Sequence, residues 1–437
     1  MEADHEGLAS RVSRASPAAL LPASREGGGF VPPFDLLGSA ELTGDVVLSV
    51  VRDARGTLVA GPLVAGADVR RAAPGDGAAR ALAALLAQRG ELGGGDFGVA
   101  TVDPGGAPGP DAVERPMLVD QTHESVVVGD AVVVKWAVQA EQTPAPTLVE
   151  HLSQAGFTQM PQVWGFVTWS GGGAEPVLVA SAMQYLAGAT DGWTWAVHDA
   201  GHYAERGGDL AAAVEAMAEV GHLVADLHSA FATPTAAIPR PVSRASGRDV
   251  DDWRRFGHQL LDDAVRAVDG QEGERLARRR DDMAAAIDSV AEAEGCLTIP
   301  VHGDLHVGQV LRWSGGYAVG DFDGNPVLPV AERLRPQPAA RDVAGMLQAL
   351  DHVGRVVNRR VEGADSRRVA DWIAAAQQVF IDAYRDRLSA NGHSDLLEER
   401  LLLPLQVEQE CREFLYAVRH LPRWRYVPDQ ALQALFP

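Results

Sequence analysis

The sequence predicts an α+β chain of two lobes, the first rich in strands and the second mostly helical. Three observations carry this. β-Branched runs such as Val46-Val47-Leu48-Ser49-Val50-Val51 and Val126-Val127-Val128 fall in the first 190 residues. Ala- and Leu-rich stretches with apolar residues three and four apart dominate after them, above all over residues 210–231. Deep in the helical part, Val301-His302-Gly303-Asp304-Leu305-His306-Val307-Gly308-Gln309 is followed by Asp321-Phe322-Asp323 in a setting that reads as strand, loop, strand, turn, strand.

At 437 residues and 46% hydrophobic content the chain requires more than one packed unit. A formal net charge of −21 argues against a nucleic-acid or anionic-membrane partner, either of which would want a basic surface. The two cysteines, Cys296 and Cys411, have no metal-type or redox-type spacing and are expected as buried free thiols. Neither a basic leader nor an apolar run long enough to cross a bilayer is visible, so a cytoplasmic location is expected. No sequence feature sets an oligomeric state.

Along the chain, residues 1 to about 26 are poor in aromatics and are expected to be partly flexible. Residues 45–60 read as a hairpin around Asp53-Ala54-Arg55-Gly56, and residues 77–89 as a helix. Glycine- and proline-rich segments at 93–95 and 103–110 close an N-terminal cap, residues 1–110. Residues 111–190 form the rest of a nucleotide-binding lobe and its hinge, and residues 191–437 a mostly helical lobe. In the middle segment two strands flank Gly129-Asp130, and the second ends on Lys135, a candidate phosphate contact. A helix near residue 150 offers Glu150 as the partner of that lysine. No Gly-x-Gly-x-x-Gly precedes Lys135, so Thr122-His123-Glu124-Ser125 would have to cradle phosphates, with Ser125 a candidate hydroxyl. Gln184, Tyr185 and Leu186 read as a hinge whose backbone could pair with an adenine edge. His228, on the buried stripe of the 210–231 helix, reads as a satisfied core residue, and residues 250–294 as a solvated helical pair.

The chemistry is concentrated in the loop. Phosphoryl transfer to a hydroxyl needs a carboxylate beside the attacking oxygen and hard-oxygen ligands for Mg²⁺. Asp304 and Gln309, five residues apart, and Asp321, twelve further on, supply a catalytic base and two metal ligands in the order of a kinase catalytic loop. Ile299-Pro300-Val301 and the run from Gln309 to Trp313 are expected as flanking strands, and Ser314-Gly315-Gly316 as a hairpin turn. A competing reading gathers His302, Asp304 and His306 as a hydrolase metal cluster, but no second His-rich element completes it.

Taken in order, Gln184-Tyr185-Leu186, Asp191-Gly192-Trp193, His302-Gly303-Asp304-Leu305-His306, Asp321-Phe322-Asp323-Gly324 with Pro326, Arg341-Asp342-Val343-Ala344-Gly345-Met346, and Arg419 with Pro422 and Trp424 resemble actinobacterial maltokinases and, more closely, the related glucosamine kinases. The resemblance spans roughly residues 115–430. It implies an aminoglycoside-phosphotransferase-like, eukaryotic-protein-kinase-like fold with an N-terminal cap, and ATP, Mg²⁺ and a sugar hydroxyl as acceptor. His306, Asp323, Glu410, Glu413, Arg419 and Trp424 are then candidate acceptor contacts beside Asp304. The chain departs from the maltokinase Asp-Phe-Glu-Gly-Glu-Pro at Asp323 and Asn325, and has Glu408-Gln409 where those enzymes carry an Asp-Lys pair. Extra carboxylates suit an ammonium-bearing sugar. The expected activity is phosphorylation of glucosamine on its 6-hydroxyl, with maltose or another aminosugar or aminoglycoside as alternative acceptors and a regulatory pseudokinase as the non-enzymatic alternative.

Overall fold

The structure is a computed structural model that describes residues 2–22, 29–94, 96–117, 124–173 and 175–437. Its contacts divide it into two compact units, Met1–Pro146 with Pro161–Ala187, and Thr147–Met160 with Gly188–Pro437.

The first unit holds α1 (Glu2–Ser13), α2 (Pro17–Leu20), strands β1 (Asp35–Thr43), β2 (Val46–Arg52), β3 (Leu58–Ala65) and β4 (Val69–Arg71), then α3 (Ala78–Ala87). It continues through β5 (Phe97–Thr101), β6 (Glu114–Met117), β7 (Glu124–Val128), β8 (Val132–Trp136), the start of α4 (Ala145–Gln154), β9 (Val163–Trp169) and β10 (Val177–Gln184). Strands β1 to β4 form one antiparallel sheet in chain order, and the other six form a second in the order β5-β9-β10-β8-β7-β6. The β2–β3 hairpin forms where the sequence places it, because Asp53 Oδ1 accepts from the N–H groups of Arg55 and Thr57 at 2.9 and 2.8 Å and closes the turn. Alternating side chains on β2 go to different cores: Leu48 and Val50 pack with α3 and the six-stranded sheet, whereas Val51 packs with Leu8, Val12, Leu20 and Leu21. Leu8, Val12, Leu20 and Leu21 are therefore built into a core, in a segment the sequence led one to expect as partly flexible. Its apolar residues are few, but Leu8 and Val12 are one helical turn apart and 4% and 0% exposed.

Two carboxylates of the six-stranded sheet are gripped by the segment after β3. Arg71, on β4, donates from Nη1 to Ala60 O at 2.8 Å and pairs with Glu124 at 2.7 Å. Glu114 Oε2 accepts from Gly75 and Gly77 N–H, and its Oε1 from Arg80 N–H at 2.8 Å, at the N-terminus of α3.

The second unit contains α5 (Gly192–Arg206), α6 (Leu210–Phe231), β11 (Ser243–Arg244), α7 (Gly247–Ala267), α8 (Gly270–Asp288) and β12 (Leu297–Thr298). After these come β13 (Val310–Trp313), β14 (Gly316–Val319), α9 (Val330–Arg333), α10 (Ala340–Arg360), α11 (Ser366–Ala390), α12 (Leu402–His420) and α13 (Tyr426–Leu435). Helices α6 and α11 pack closely because Gly221 has no side chain: a Cβ there would lie 2.6 Å from Phe380 O. The charged 250–294 segment is the expected helical pair, α7 opening with a Ser246/Asp249 capping box and burying Leu260 and Leu261 against α8 and α12. One local expectation fails. Ile299-Pro300-Val301 is not a strand: pairing is confined to β12 and to a single bridge between Ile299 and Gln337, since Pro300 has no N–H to extend it. Both cysteines are buried free thiols. Among the described residues no helix is long and apolar enough to cross a membrane.

Removing the Glu114 carboxylate leaves three N–H groups at the start of α3 without their acceptor. Glu114→Ala is expected to lower stability by about 1–3 kcal/mol in denaturant melts. An unchanged midpoint would contradict this anchoring role.

Candidate active site

Two consecutive N–H groups of the loop bearing Asp304 converge on Asp342, in the first turn of α10. Its carboxylate accepts from His302 N–H at 2.8 Å and Gly303 N–H at 2.9 Å. His228 Nε2 lies 3.2 Å from the same carboxylate, and the Tyr384 hydroxyl lies 2.8 Å from His228 Nδ1. With Nε2 protonated and donating to Asp342, Nδ1 is free to accept from Tyr384. Burial pushes the Asp342 carboxyl upward, but the His228 bond and charge, with the Gly303 N–H, outweigh it and hold the group below the usual carboxylate range. His228 is thus the satisfied core residue expected, with a partner that matters. Gly345 lets α10 come close, since a Cβ there would lie 2.5 Å from Leu305 O.

The loop so held presents Asp304. Its carboxyl is pushed upward by burial, partly countered by the charges of His306, Arg412 and His302, and raised further by Asp321. Asn325 Nδ2 donates to its Oδ1 at 2.8 Å. His302 turns away: Asp304 N–H approaches its Nδ1 at 3.4 Å, and Nε2 donates to Gly320 O at 2.9 Å. Gly320 N–H in turn donates to Gln309 O at 3.0 Å, which joins the strand-turn-strand β13–β14 back to the loop. Asp321 then leaves the strand at φ +66°, a left-handed conformation that Asp tolerates better than most residues. Its Oδ2 lies 3.5 Å from the Gln309 side-chain amide. The same amide is 3.4 Å from His306 Nε2, and His306 Nδ1 accepts from Gly308 N–H at 3.0 Å. Gln309 sits in a 3₁₀ turn before β13 rather than in the strand itself. Among the described residues no group of three or more His, Cys, Asp or Glu is placed to hold a metal ion, and His302 and His306 spend ring nitrogens on Gly320 O and Gly308 N–H.

The acceptor candidates divide by helix face. On α12, Gln409 and Glu413 share a face, with Gln409 Nε2 donating to Glu413 Oε1 at 3.2 Å. Trp424 Nε1 donates to Glu413 Oε2 at 3.2 Å. Trp424 stands edge-on to Trp193 with ring centroids 5.9 Å apart, and Trp193 lies 6.3 Å from His306. These contacts bring Glu413, Trp424, Trp193 and His306 into one cluster beside the loop. Gln409 Oε1 also accepts from Arg412 Nη2 at 2.6 Å, while Arg412 Nε and Nη1 are buried with no acceptor among the described residues. Glu410 is not in this cluster. It is fully buried against α10, where Gln348 donates to it and His352 Nε2 lies 2.9 Å from its Oε1. Glu408 is likewise buried and pairs with Arg341 at 3.1 Å. Arg419 is exposed in the last turn of α12, and among the described residues no hydrogen bond, ion pair or ring contact joins it to the cluster. Asp323 follows Asp321 and Phe322, half-buried, with its carbonyl accepting from Arg333 Nη1 at 3.3 Å. Trp193 and Gln409 are the members that sequence reasoning did not single out, although both lie inside segments it quoted.

In the first unit, Lys135 stands on β8 opposite Ser125 on β7. Thr122 and His123 lie outside the described residues. Gln184 N–H donates to Gln162 O at 2.7 Å and Tyr185 N–H to Ala131 O at 2.9 Å. Arg115 lies over the Tyr185 ring at 4.9 Å, and the Leu186 side chain is buried. The hinge donor not spent in these bonds is Leu186 N–H. Glu150, in the second unit, is exposed on α4 and accepts from Gln154 Nε2 at 3.0 Å.

His352 gives a pH signature. Burial presses its imidazole toward the neutral form, and Glu410 more than reverses this, raising it to about 9. The folded value lies above the unfolded one, so the stabilisation is complete below about pH 6.5 and is lost as pH rises through about 9. The stability advantage of the parent over His352→Gln is therefore expected to shrink across that window in pH-dependent melts. A constant difference would mean that the pair is not ionic.

No family model matches the chain. A glucosamine kinase from Streptacidiphilus jiangxiensis is 45% identical over 98% of this chain and 97% of its own length. Another from Mycolicibacterium smegmatis is 43% identical over 84% of this chain and 90% of its own. Among solved structures, a glucosamine kinase in complex with glucosamine, ADP and inorganic phosphate superposes with a TM-score of 0.81 at 42% identity, over 98% of this chain and 99% of that one. A second crystal form of a glucosamine kinase gives 0.85 with the same identity and coverage. The fold is α+β, as the sequence predicts, and it is shared with these glucosamine kinase structures along nearly the whole chain. With this likeness running through both units, the chain belongs to the glucosamine kinase family.

Proposed function

We propose that this protein is an ATP-dependent glucosamine kinase that transfers the γ-phosphoryl group to the 6-hydroxyl, giving glucosamine 6-phosphate and ADP. The observation that carries the reading is Glu413. It is the α12 acid that shares a cluster with the loop bearing Asp304, whereas Glu410 and Glu408 are sealed in ion pairs. An ammonium group on the acceptor would meet Glu413 and gain a charge-assisted hydrogen bond. Trp424 and Trp193 offer apolar faces for the sugar ring.

In this reading Asp304 orients the 6-hydroxyl and takes its proton as the oxygen bonds to phosphorus and the bond to ADP breaks. A carboxyl raised by burial is a better match to that task than one at its ordinary value. Gln309 and Asp321, an amide and a carboxylate within 3.5 Å, fit Mg²⁺, which takes few protein ligands and completes its shell with water and phosphate. Rotating the Gln309 amide to put Oε1 toward Asp321 also gives His306 Nε2–H an acceptor. Mg²⁺ held there would neutralise the phosphate oxygens. Lys135 and Ser125 are assigned to the phosphates, and residues 184–186 to the adenine. Residues 1–110 are assigned as the cap, 111–190 as the remainder of the nucleotide lobe, and 191–437 as the catalytic and acceptor lobe.

Asp304→Asn is expected to abolish transfer with ATP binding largely intact, seen as lost ADP release against an unchanged nucleotide titration. Equal loss of both would reassign the residue. Glu413→Gln is expected to raise KM for glucosamine about tenfold or more, from one lost charge-assisted bond of about 1.5–3 kcal/mol, and to affect glucose much less. An acceptor panel is the decisive assay: maltose preferred over glucosamine, or equal use of glucosamine and glucose by the parent, would reject the aminosugar assignment. Absence of turnover on every acceptor would revive the pseudokinase.

A further inference from the structure

We infer that Asn325 orients the catalytic carboxylate and leaves one oxygen of Asp304 for the incoming hydroxyl. The inference rests on the assignment of Asp304 as base. Asn325 is one of the two positions at which the chain departs from the maltokinase-like Asp-Phe-Glu-Gly-Glu-Pro, and its side chain is 6% exposed. Its side chain and its backbone carbonyl are each held by a following N–H group. Val327 N–H donates to Oδ1 at 3.0 Å, and Leu328 N–H to the Asn325 carbonyl at 3.1 Å. Because Val327 N–H can only donate, Oδ1 must face it, and Nδ2 must face Asp304. The 2.8 Å bond from Nδ2 to Asp304 Oδ1 follows, and among the described residues no other side chain hydrogen-bonds that carboxylate.

The consequence is geometric first. With Oδ1 taken by a buried, immobile donor, Oδ2 is the oxygen left to accept the hydroxyl proton, and the carboxylate cannot swing. The remaining charged or titratable groups that act on Asp304 are His302 and His306 from its own loop, Asp321 from the segment after β14, and Arg412 from α12. A glutamate at 325 would add a second carboxylate to that set and supply no donor. Aspartate would do so with almost no change of shape. Asn325→Asp therefore separates two roles: it keeps the oxygen that receives Val327 N–H, and it replaces only the donor that faces Asp304.

The test compares Asn325→Asp and Asn325→Ala with the parent, measuring kcat and KM for glucosamine and for ATP with Mg²⁺, and checking the fold by thermal melting. If Asn325 positions the base, both variants lose kcat. Aspartate is the worse, by about 100-fold or more against about tenfold for alanine, because it adds a like charge where alanine only removes a bond. KM for both substrates should stay within about threefold of the parent. A role confined to the 325–328 turn predicts the opposite order, with aspartate close to the parent and alanine the impaired, less stable variant; that result would overturn the inference. So would a loss expressed wholly in KM. Asp304→Asn assayed beside them keeps the two failures apart: turnover that survives it defeats the assignment of the base itself, whatever Asn325 does.

Discussion

A single buried carboxylate, Asp342, holds the irregular backbone on which the chemistry depends. The loop from His302 to Gln309 has little regular pairing of its own, and Gly303 adopts φ +79°. Two consecutive N–H groups of that loop would be buried without partners if Asp342 were not there, at about 1–3 kcal/mol each. Asp342 can stay ionised in a dry site because His228 and the loop N–H groups compensate its desolvation. The next link runs outward from the loop. His302 donates to Gly320 O, Gly320 donates to Gln309 O, and the residue after Gly320 is Asp321 at a strained positive φ. That strain, of about 1–2 kcal/mol for a residue with a Cβ, is sustained because its neighbours on both sides are already fixed.

Helix α12 shows how one amphipathic segment serves two tasks. Glu410 and Glu413 are three residues apart, yet one is sealed against α10 and the other joins Trp424. The sealed pair is costly to desolvate, and Glu410 Oε2 has no hydrogen-bond partner. Its effect is best seen in where it sits: His352 holds Glu410 and also stands edge-on to Trp424 with centroids 6.5 Å apart. The buried ion pair thus backs the aromatic wall of the acceptor cluster, so its cost is offset by fixing a side chain that touches the site.

Much of this was legible in the sequence, for physical reasons that also explain the rest. The β2–β3 hairpin and the 210–231 helix follow from period-2 and period-3.6 patterns that tertiary packing reinforces, and the turn at Asp53 from a side chain that bonds its own backbone. The spacing of Asp304, Gln309 and Asp321 survives in sequence because one loop and one hairpin carry all three. Contacts between distant segments were not legible. Nothing local links His228 to Asp342, Trp193 to Trp424, or Asn325 to Asp304, and a pair of acids on one helix cannot be sorted by face until the neighbouring helix is known. The N-terminal helices were missed because their few apolar residues bury fully only against strands that come later in the chain.

Trp193 joins the Glu413–Trp424 cluster to the loop bearing Asp304 within the second unit. Its ring reaches His306 on one side and Trp424 on the other, and two glycines keep it there. A Cβ on Gly308 would lie 2.6 Å from the Trp193 ring, and one on Gly192 would lie 1.6 Å from Val307 O. The start of α5 is therefore pressed against the loop backbone by packing, and Trp195 Nε1 donates to Val310 O at 3.0 Å just beyond the loop. In the proposed reading, a change at Glu413 alters acceptor preference without touching Asp304, because Glu413 reaches the loop through Trp424 and Trp193, whereas Gln409 bonds to Arg412, whose charge acts on Asp304. A change at Asn325 has no such freedom, since it touches the base directly.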